Sequence, residues 1–363
     1  MKPALQLEID SSEELESWLQ GAGPVAVFQG LDLRPWESEL LKAPLRGCVF
    51  IGCQMTPPLM QAIYAQGCTY LPRLDRGPYQ PFRTRLYSVA DLYGEELGPY
   101  AETPDAQIYQ FSRGAGLFDE QLARTIHDRS IADALEEWLP QIKVRSVVAI
   151  MGGHAVPRGE PLFAEIARLA RRLRREGFLP ASGGGPGLME ATNLGAYLAP
   201  HPDEALECAL ERLSGCATFR EGSDAWLKGA FEVRALFPPR AGGESLGIPT
   251  WFYGHEPPNV FASQVAKFFD NSLREETLLA VALGGILFAP GGAGTHQEIF
   301  QDACQNYYTT YGKRSPMIFY PKDFWTQDFP AFAVVQRLAQ KGNFTELVHL
   351  LDDLNDVPAL LLG

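Results

Sequence analysis

The chain has 363 residues, of which 46% are hydrophobic and 21% charged, the balance of an ordinary water-soluble globular protein. A formal net charge of −13 excludes a nucleic-acid groove as the main surface and leaves room for a local pocket that takes one small anion. No apolar run reaches the length of a membrane span, so no membrane partner is expected, and the length predicts two domains.

The opening Met1-Lys-Pro-Ala-Leu-Gln-Leu-Glu8 lacks a secretory apolar core. The six cysteines fall in neither CxxC nor His/Cys zinc spacing, which predicts reduced thiols, a cytoplasmic location and no metal centre. Residues 25–28 and 47–53 read as short buried strands, 57–66 as a helix with proline in its first turn, and 68–71 as another strand. Residues 1–140 are thus a smaller N-terminal α/β region without a phosphate-binding loop. From Pro72 to Pro104 the chain reads as an irregular connection, with Arg73, Arg76, Arg83 and Arg85 expected to pair with acidic neighbours. Residues 118–139 predict one or two helices. His127-Asp128 within them is expected to be structural or on the surface, because adjacent residues on a helix point to different faces. Pro140 is the expected domain boundary.

From residue 141 the character changes to an alternation of strands and helices. A strand over 144–151 runs into Gly152-Gly153-His154, followed by an amphipathic helix over 161–176. Its Arg168, Arg171, Arg172, Arg174 and Arg175 sit toward the helix C-terminus, where the dipole favours cations, and predict a solvated face. A strand over 178–182 leads into Gly183-Gly-Gly-Pro-Gly187, which opens a helix over 188–197. Residues 201–243 read as an insertion, with a helix at 203–213 and then a Gly/Pro-punctuated stretch open between a lid and a partner contact. A strand over 248–253, a turn at 254–258 and a long helical run over 259–283 follow, with Phe268-Phe269 as a contact between copies. After a buried strand at 285–289 come Pro290-Gly-Gly-Ala-Gly-Thr-His-Gln-Glu298, a final strand at 316–320, a helix at 329–340 and an apolar tail.

The stretch from Pro290 to Glu298 is the most informative. A strand, a glycine turn and a helix starting near Thr295 bring free backbone N–H groups and the positive end of a helix dipole to one point, which suits a phosphate. Thr295-x-x-Glu298 also fits a capping box, in which Glu298 only bonds back to the backbone. A second strand–glycine loop–helix unit at residues 178–197 favours the ligand reading. Together the elements predict a Rossmann-like, doubly wound parallel sheet with helices on both faces, over residues 141–363.

Gly183-Gly-Gly-Pro-Gly-Leu-Met-Glu190 followed by Pro290-Gly-Gly-Ala-Gly-Thr-His-Gln-Glu298 resembles the LOG ("lonely guy") family, formerly labelled possible lysine decarboxylases. The resemblance covers about residues 144–325, and the Trp251-Phe-Tyr-Gly-His-Glu-Pro-Pro258 stretch and the N-terminal extension look like the larger bacterial members. It implies a nucleosidase that hydrolyses the N-glycosidic bond of an AMP-like nucleoside 5′-monophosphate to free base and ribose 5-phosphate. It also implies a homodimer or higher homo-oligomer, with no cofactor. The family's catalytic arginine and glutamate fall on Arg274 and Glu298. Its phosphate and ribose contacts fall on Gly183, Gly184, Gly185 and Gly187 and on Gly291, Gly292, Gly294 and Thr295. Met189 and Glu190 would flank the base or ribose, and Gly152 and Gly153 would approach the nucleotide. Where the family has lysine after its arginine, this chain has Glu275, which leaves the preferred base open.

Those residue types suit the reaction. A carboxylate can stabilise oxocarbenium character at C1′ or deprotonate water, and an arginine fork holds oxyanions. A pyridoxal-phosphate decarboxylase would need a lysine beside a phosphate loop, and neither Lys267 nor Lys313 is so placed in the sequence. The alternative of a different class is a non-catalytic nucleotide or cofactor carrier, or a sensor, of the same fold.

Overall fold

The computed structural model describes residues 7–362 except 22, 75, 76, 115, 254 and 255; residues 1–6, Arg76 and the Gly254-His255 part of the expected turn therefore lie outside the described residues. The chain forms two compact units, Met1–Arg85 with Ala115–Ala134, and Leu86–Gly114 with Leu135–Gly363.

The first unit runs β1 (Leu7–Ile9), α1 (Ser12–Gln20), β2 (Ala26–Gln29), α2 (Glu37–Leu40), β3 (Val49–Ile51), α3 (Pro57–Ala65) and β4 (Thr69–Leu71). The strands pair in parallel in their sequence order. Phe28 and Phe50 stack at the centre with ring centroids 4.7 Å apart, and Trp18 meets Phe28 edge-on at 5.0 Å. Helix α1 was not anticipated, although Ser11 and Glu14 form a capping box at its start. The stretch read as an irregular connection contains helix α4 (Val89–Tyr93), which Ser88 and Asp91 cap; α5 (Pro104–Ser112) follows, and α6 (Phe118–Trp138) is one continuous helix. On α6, His127 Nδ1 lies 3.0 Å from Asp128 Oδ1 with both residues buried, so the adjacent side chains do meet. Burial holds the imidazole below its usual range, against the pull of Asp128.

Relative to the expected break at Pro140, residues 86–114 and 135–140 lie with the second unit. The reason is a buried polar network. Lys267 Nζ donates to Asp105 Oδ1 at 2.6 Å, Trp251 Nε1 donates to the same oxygen at 2.9 Å, and Tyr100 donates to Oδ2 at 2.9 Å. These groups satisfy one another in the interior, and a break at Asp105 would leave a buried charge alone.

The second unit carries β5 (Val147–Met151), α7 (Pro161–Arg175), β6 (Leu179–Ser182), α8 (Leu188–Tyr197), α9 (Asp203–Ser214), α10 (Ser223–Leu236), β7 (Leu246–Gly247) and β8 (Gln264–Val265). Then come α11 (Asn271–Val281), β9 (Gly285–Phe288), α12 (Ala293–Tyr308), β10 (Met317–Phe319), α13 (Ala331–Gly342), β11 (Val348–Leu350) and α14 (Val357–Leu360). The seven strands are parallel in the order β11-β10-β9-β5-β6-β7-β8, an α/β Rossmann-like sheet with helices on both faces. From β5 the chain winds outward through β6 to β8, then returns to lay β9 on the other side of β5. The β5/β9 boundary is thus a topological switch point, where open α/β sheets bind ligands outside the carboxyl ends of their strands.

Several expectations are corrected. The stretch read as lid or partner contact contains α10, whose Trp226, Leu227, Ala230 and Val233 are buried. The long helix expected over 259–283 is only α11. Ahead of it Asn259 Oδ1 accepts from the N–H groups of Phe261 and Ala262, residues 264–265 join the sheet, and Asp270 caps α11 from Ser272 and Leu273. Phe268 and Phe269 are 0% and 8% exposed, which removes them as a contact between copies. The strand expected at 248–253 is β7, two residues earlier, and the tail supplies a further edge strand, β11, beyond the one taken as final. The arginines of α7 are paired rather than merely solvated. Arg168 binds Glu207 through two bonds of 2.7 and 2.8 Å, Arg175 binds Asp203 at 2.7 Å, and Arg171 donates to the carbonyls of His201 and Pro202. They fasten α9 to α7.

Candidate active site

Three loops meet beyond the carboxyl ends of neighbouring strands β5, β9 and β6. Gly153 N–H donates to Pro290 O at 2.9 Å, joining the first loop to the glycine turn after β9. Leu188 N–H donates to Gly153 O at 3.2 Å, joining it to the turn after β6. Gly187 has φ 67°, and a Cβ there would stand 2.5 Å from Gly153 O, so both the turn and the close approach require glycine.

Arg274, on the first turn of α11, reaches into this junction. Its Nε donates to Ile248 O at 2.9 Å and its Nη1 to Glu298 Oε1 at 3.0 Å. The Arg274 and Glu298 side chains are only 12% and 9% exposed. A methyl group at Gly183 would lie 2.5 Å from Arg274 Nη2 and 2.6 Å from Met189 Sδ, so the missing side chain is what lets the guanidinium pass. One arginine therefore touches the loop after β6 and the acid that follows the loop after β9. Burial raises the Glu298 carboxyl above its usual range; the Arg274 guanidinium works against this, and the neighbouring charge of Glu275 adds to it.

Helix α12 starts at Ala293, two residues before the expected Thr295, with Gly292 at the N-cap and no side chain capping it. The capping-box expectation fails because Glu298 faces Arg274 instead. Gly292 and Gly294 are exposed, with nothing within 4 Å of where a Cβ would stand, so this helix end offers bare N–H groups to an anion. Thr295 is 6% exposed, and its hydroxyl packs where a Cβ on Gly291 would be.

The other loop is different. Residues 183–187 are all buried, with Asn259 N–H donating to Gly184 O at 2.9 Å and Asn259 Nδ2 to Gly185 O at 3.1 Å. Gly183 lies against Arg274, Gly184 packs on Gly247 to Pro249, Gly185 on Met189 and Gly187 on Gly153 and His154, so this loop is packed rather than open like the α12 turn. Gly152 packs under Leu188, whose Cδ1 would be 2.6 Å from a Cβ there. Met189 lies along Gly183 and Gly185. Glu190 turns away from Arg274. Both its oxygens accept from Arg158, at 2.6 and 2.8 Å, and it is 0% exposed, which fits a structural ion pair better than contact with a base or ribose.

The sequence marks Glu275 only as a departure from the family's lysine, not as a neighbour of the pair. Glu275, 1% exposed, accepts from Asn271 Nδ2 at 2.7 Å and from Gln297 Nε2, while Asn271 Nδ2 also donates to the Tyr253 hydroxyl at 2.9 Å. The available signal was the i, i+4 spacing of Asn271 and Glu275 on one face of α11. Lys267, held by Asp105 and 1% exposed, has no access to a cofactor.

No family model matches the chain, and no curated protein does. Among solved structures, the chain is similar to the molybdenum cofactor binding protein of Rippkaea orientalis at 14% identity, over 60% of this chain and 94% of that one, with a TM-score of 0.34. It is similar to the Moco carrier protein of Chlamydomonas reinhardtii at 16% identity, over 59% and 94%, and to the structural-genomics target TM1055 at 19%, over 59% and 97%, both with a TM-score of 0.34. Likeness at this level bears on neither chemistry nor ligand.

Proposed function

We propose that this chain is a LOG-type nucleosidase that hydrolyses the N-glycosidic bond of a nucleoside 5′-monophosphate. The observation that carries the reading is the buried Arg274–Glu298 pair set between two strand-end loops and beside an uncapped helix N-terminus. Binding a small anion needs the helix end alone; a carboxylate held next to an arginine at the same junction is what cleavage requires.

In this reading the phosphate rests on the N–H groups at the start of α12, where Gly292 and Gly294 let it approach. Binding energy at that unreactive end positions C1′ against Glu298. As the C1′–N bond breaks, its electron pair leaves with the base, and the Glu298 carboxylate faces the positive charge growing at C1′. Water then adds at C1′, and its proton passes to the departing base. Arg274 holds Glu298 in place in the free protein and exchanges that contact for a ribose or phosphate oxygen when the nucleotide enters. Phe252 and Tyr253, 61% and 45% exposed, offer flat apolar faces beside the Tyr253–Asn271 hydrogen bond for a base.

The test is to incubate the protein with AMP, GMP, CMP, IMP and N6-isopentenyl-AMP and follow base release by chromatography, with Arg274→Ala as control. Release from at least one nucleotide, lost in the control, supports the reading. Tight AMP binding with no release from any of them would instead make the chain a carrier or sensor.

A further inference from the structure

Helices α11 and α12 are joined by two adjacent rungs. Arg274 donates to Glu298, and one residue along on each helix Gln297 donates to Glu275. The second rung brings a carboxylate into the interior with no need for it in binding or chemistry. Its 1% exposure keeps it from any ligand, and the donors to its two oxygens are neutral amides, Asn271 and Gln297. A buried carboxylate normally sits beside a cation of its own. Here the adjacent cation in sequence, Arg274, is spent on Glu298.

We propose that Glu275 is a positioning residue for the candidate site: it locks the first turns of α11 and α12 together through Gln297 and places a second negative charge against the Arg274–Glu298 pair, so that it governs when Glu298 is ionised. The proposal rests on the nucleosidase reading for the meaning of Glu298, but not for its physical content. The charged groups that act on Glu298 are Arg274 and Glu275 from α11, with Tyr253 from the loop after β7 nearby, its phenol raised above its usual range by partial burial and by those carboxylates. The cluster thus holds one cation and two carboxylates. With Glu275 charged, ionising Glu298 leaves the cluster with a net negative charge in a site shielded from water, and Coulomb repulsion there is far stronger than at the surface. Neutralising Glu275 leaves Arg274 matched to Glu298 alone.

The consequence for catalysis has a definite sign. Glu298 acts as a carboxylate, so Glu275 delays the onset of activity as pH rises. Glu275→Gln keeps the shape, and the new amide nitrogen donates to Gln297 once that side chain turns its oxygen inward. Glu275→Met fills similar volume and asks for no partner.

The experiment uses the full chain with 13C-labelled glutamate carboxyls, the Glu298 signal being assigned by its loss in Glu298→Gln. The midpoint of the Glu298 titration is compared between the parent and both Glu275 variants, alongside the pH profile of kcat/KM. A fall of about one pH unit in the midpoint is expected in either folded variant, from removal of one nearby charge. The acid limb of kcat/KM should move down with it and KM should change little. An unchanged midpoint in a folded variant overturns the proposal whatever the activity, and so does failure of both variants to fold, which would make Glu275 a folding residue. A shifted midpoint with no base release from any protein keeps the proposal and removes the nucleosidase reading.

Discussion

Glu190→Gln separates a structural role from a ligand-binding one. Arg158 Nε and Nη2 donate to the two Glu190 oxygens at 2.8 and 2.6 Å, with side-chain exposures of 1% and 0%. The remaining Nη1 donates to Trp226 O at 3.0 Å, and the guanidinium lies 4.5 Å from the Trp226 ring. Replacing the carboxylate by an amide keeps the volume and one acceptor, but leaves a buried cation facing that amide oxygen, the carbonyls of Trp226 and Cys216 and a ring, with no opposite charge. Breaking a buried pair in this way costs about 3–5 kcal/mol, and the retained acceptor puts this variant near the lower end. For a domain of this size that corresponds to a fall in Tm of about 6–12 °C. Thermal unfolding of the full chain followed by circular dichroism reads it directly. The double replacement Arg158→Met with Glu190→Leu should recover much of the loss, since it removes both charges together. A Tm unchanged within about 2 °C, with AMP binding or turnover abolished, would refute the structural assignment and return Glu190 to the ligand.

Further expectations follow from the same geometry. Because Glu298 is raised above its usual range by burial, the folded state holds its proton more firmly than the unfolded chain does. That contribution is complete below the unfolded value and is lost as pH rises through the folded one. Urea unfolding from pH 4 upward should therefore show the parent losing ground to Glu298→Gln, and a constant difference would contradict the raised value. Gly183→Ala should push the Arg274 guanidinium aside, since the new methyl meets only side-chain tips at 2.5 and 2.6 Å. A displacement near 1 Å at a catalytic group costs on the order of a hundredfold in rate. Base release should fall by that order with little change in Tm, and a rate within twofold of the parent would argue that Arg274 is not needed in its observed place.

The elements that were legible in the sequence are those whose signal is local. Residues 147–151 and 285–288 form apolar runs bounded by glycine or polar residues, and each leads into a glycine turn. Arg274 and Glu298 came from resemblance, and they meet across 3.0 Å. What failed depended on partners distant in the chain. Residues 259–270 have helical spacing of apolar side chains, but Asn259 and Asp270 direct the backbone elsewhere and the sheet takes residues 264–265. Asp105 carries no sequence signal, and only the fold brings Lys267 and Trp251 to it. Glu190 stood in a motif and was read for ligand contact, while its partner Arg158 carried no visible signal. Helices α1, α4 and α5 do carry local signatures, the Ser11-x-x-Glu14 and Ser88-x-x-Asp91 capping boxes and the Thr103-Pro104 start.

The most direct test of the central claim is a paired measurement on Glu298→Gln and the parent chain: AMP affinity by calorimetry and release of adenine with ribose 5-phosphate by chromatography. The account predicts that the variant binds AMP nearly as the parent does, since the helix end of α12 is untouched, and releases adenine at least about a hundredfold more slowly. Adenine release by the variant at the parent's rate would contradict it, as would a parent that binds AMP and leaves it whole.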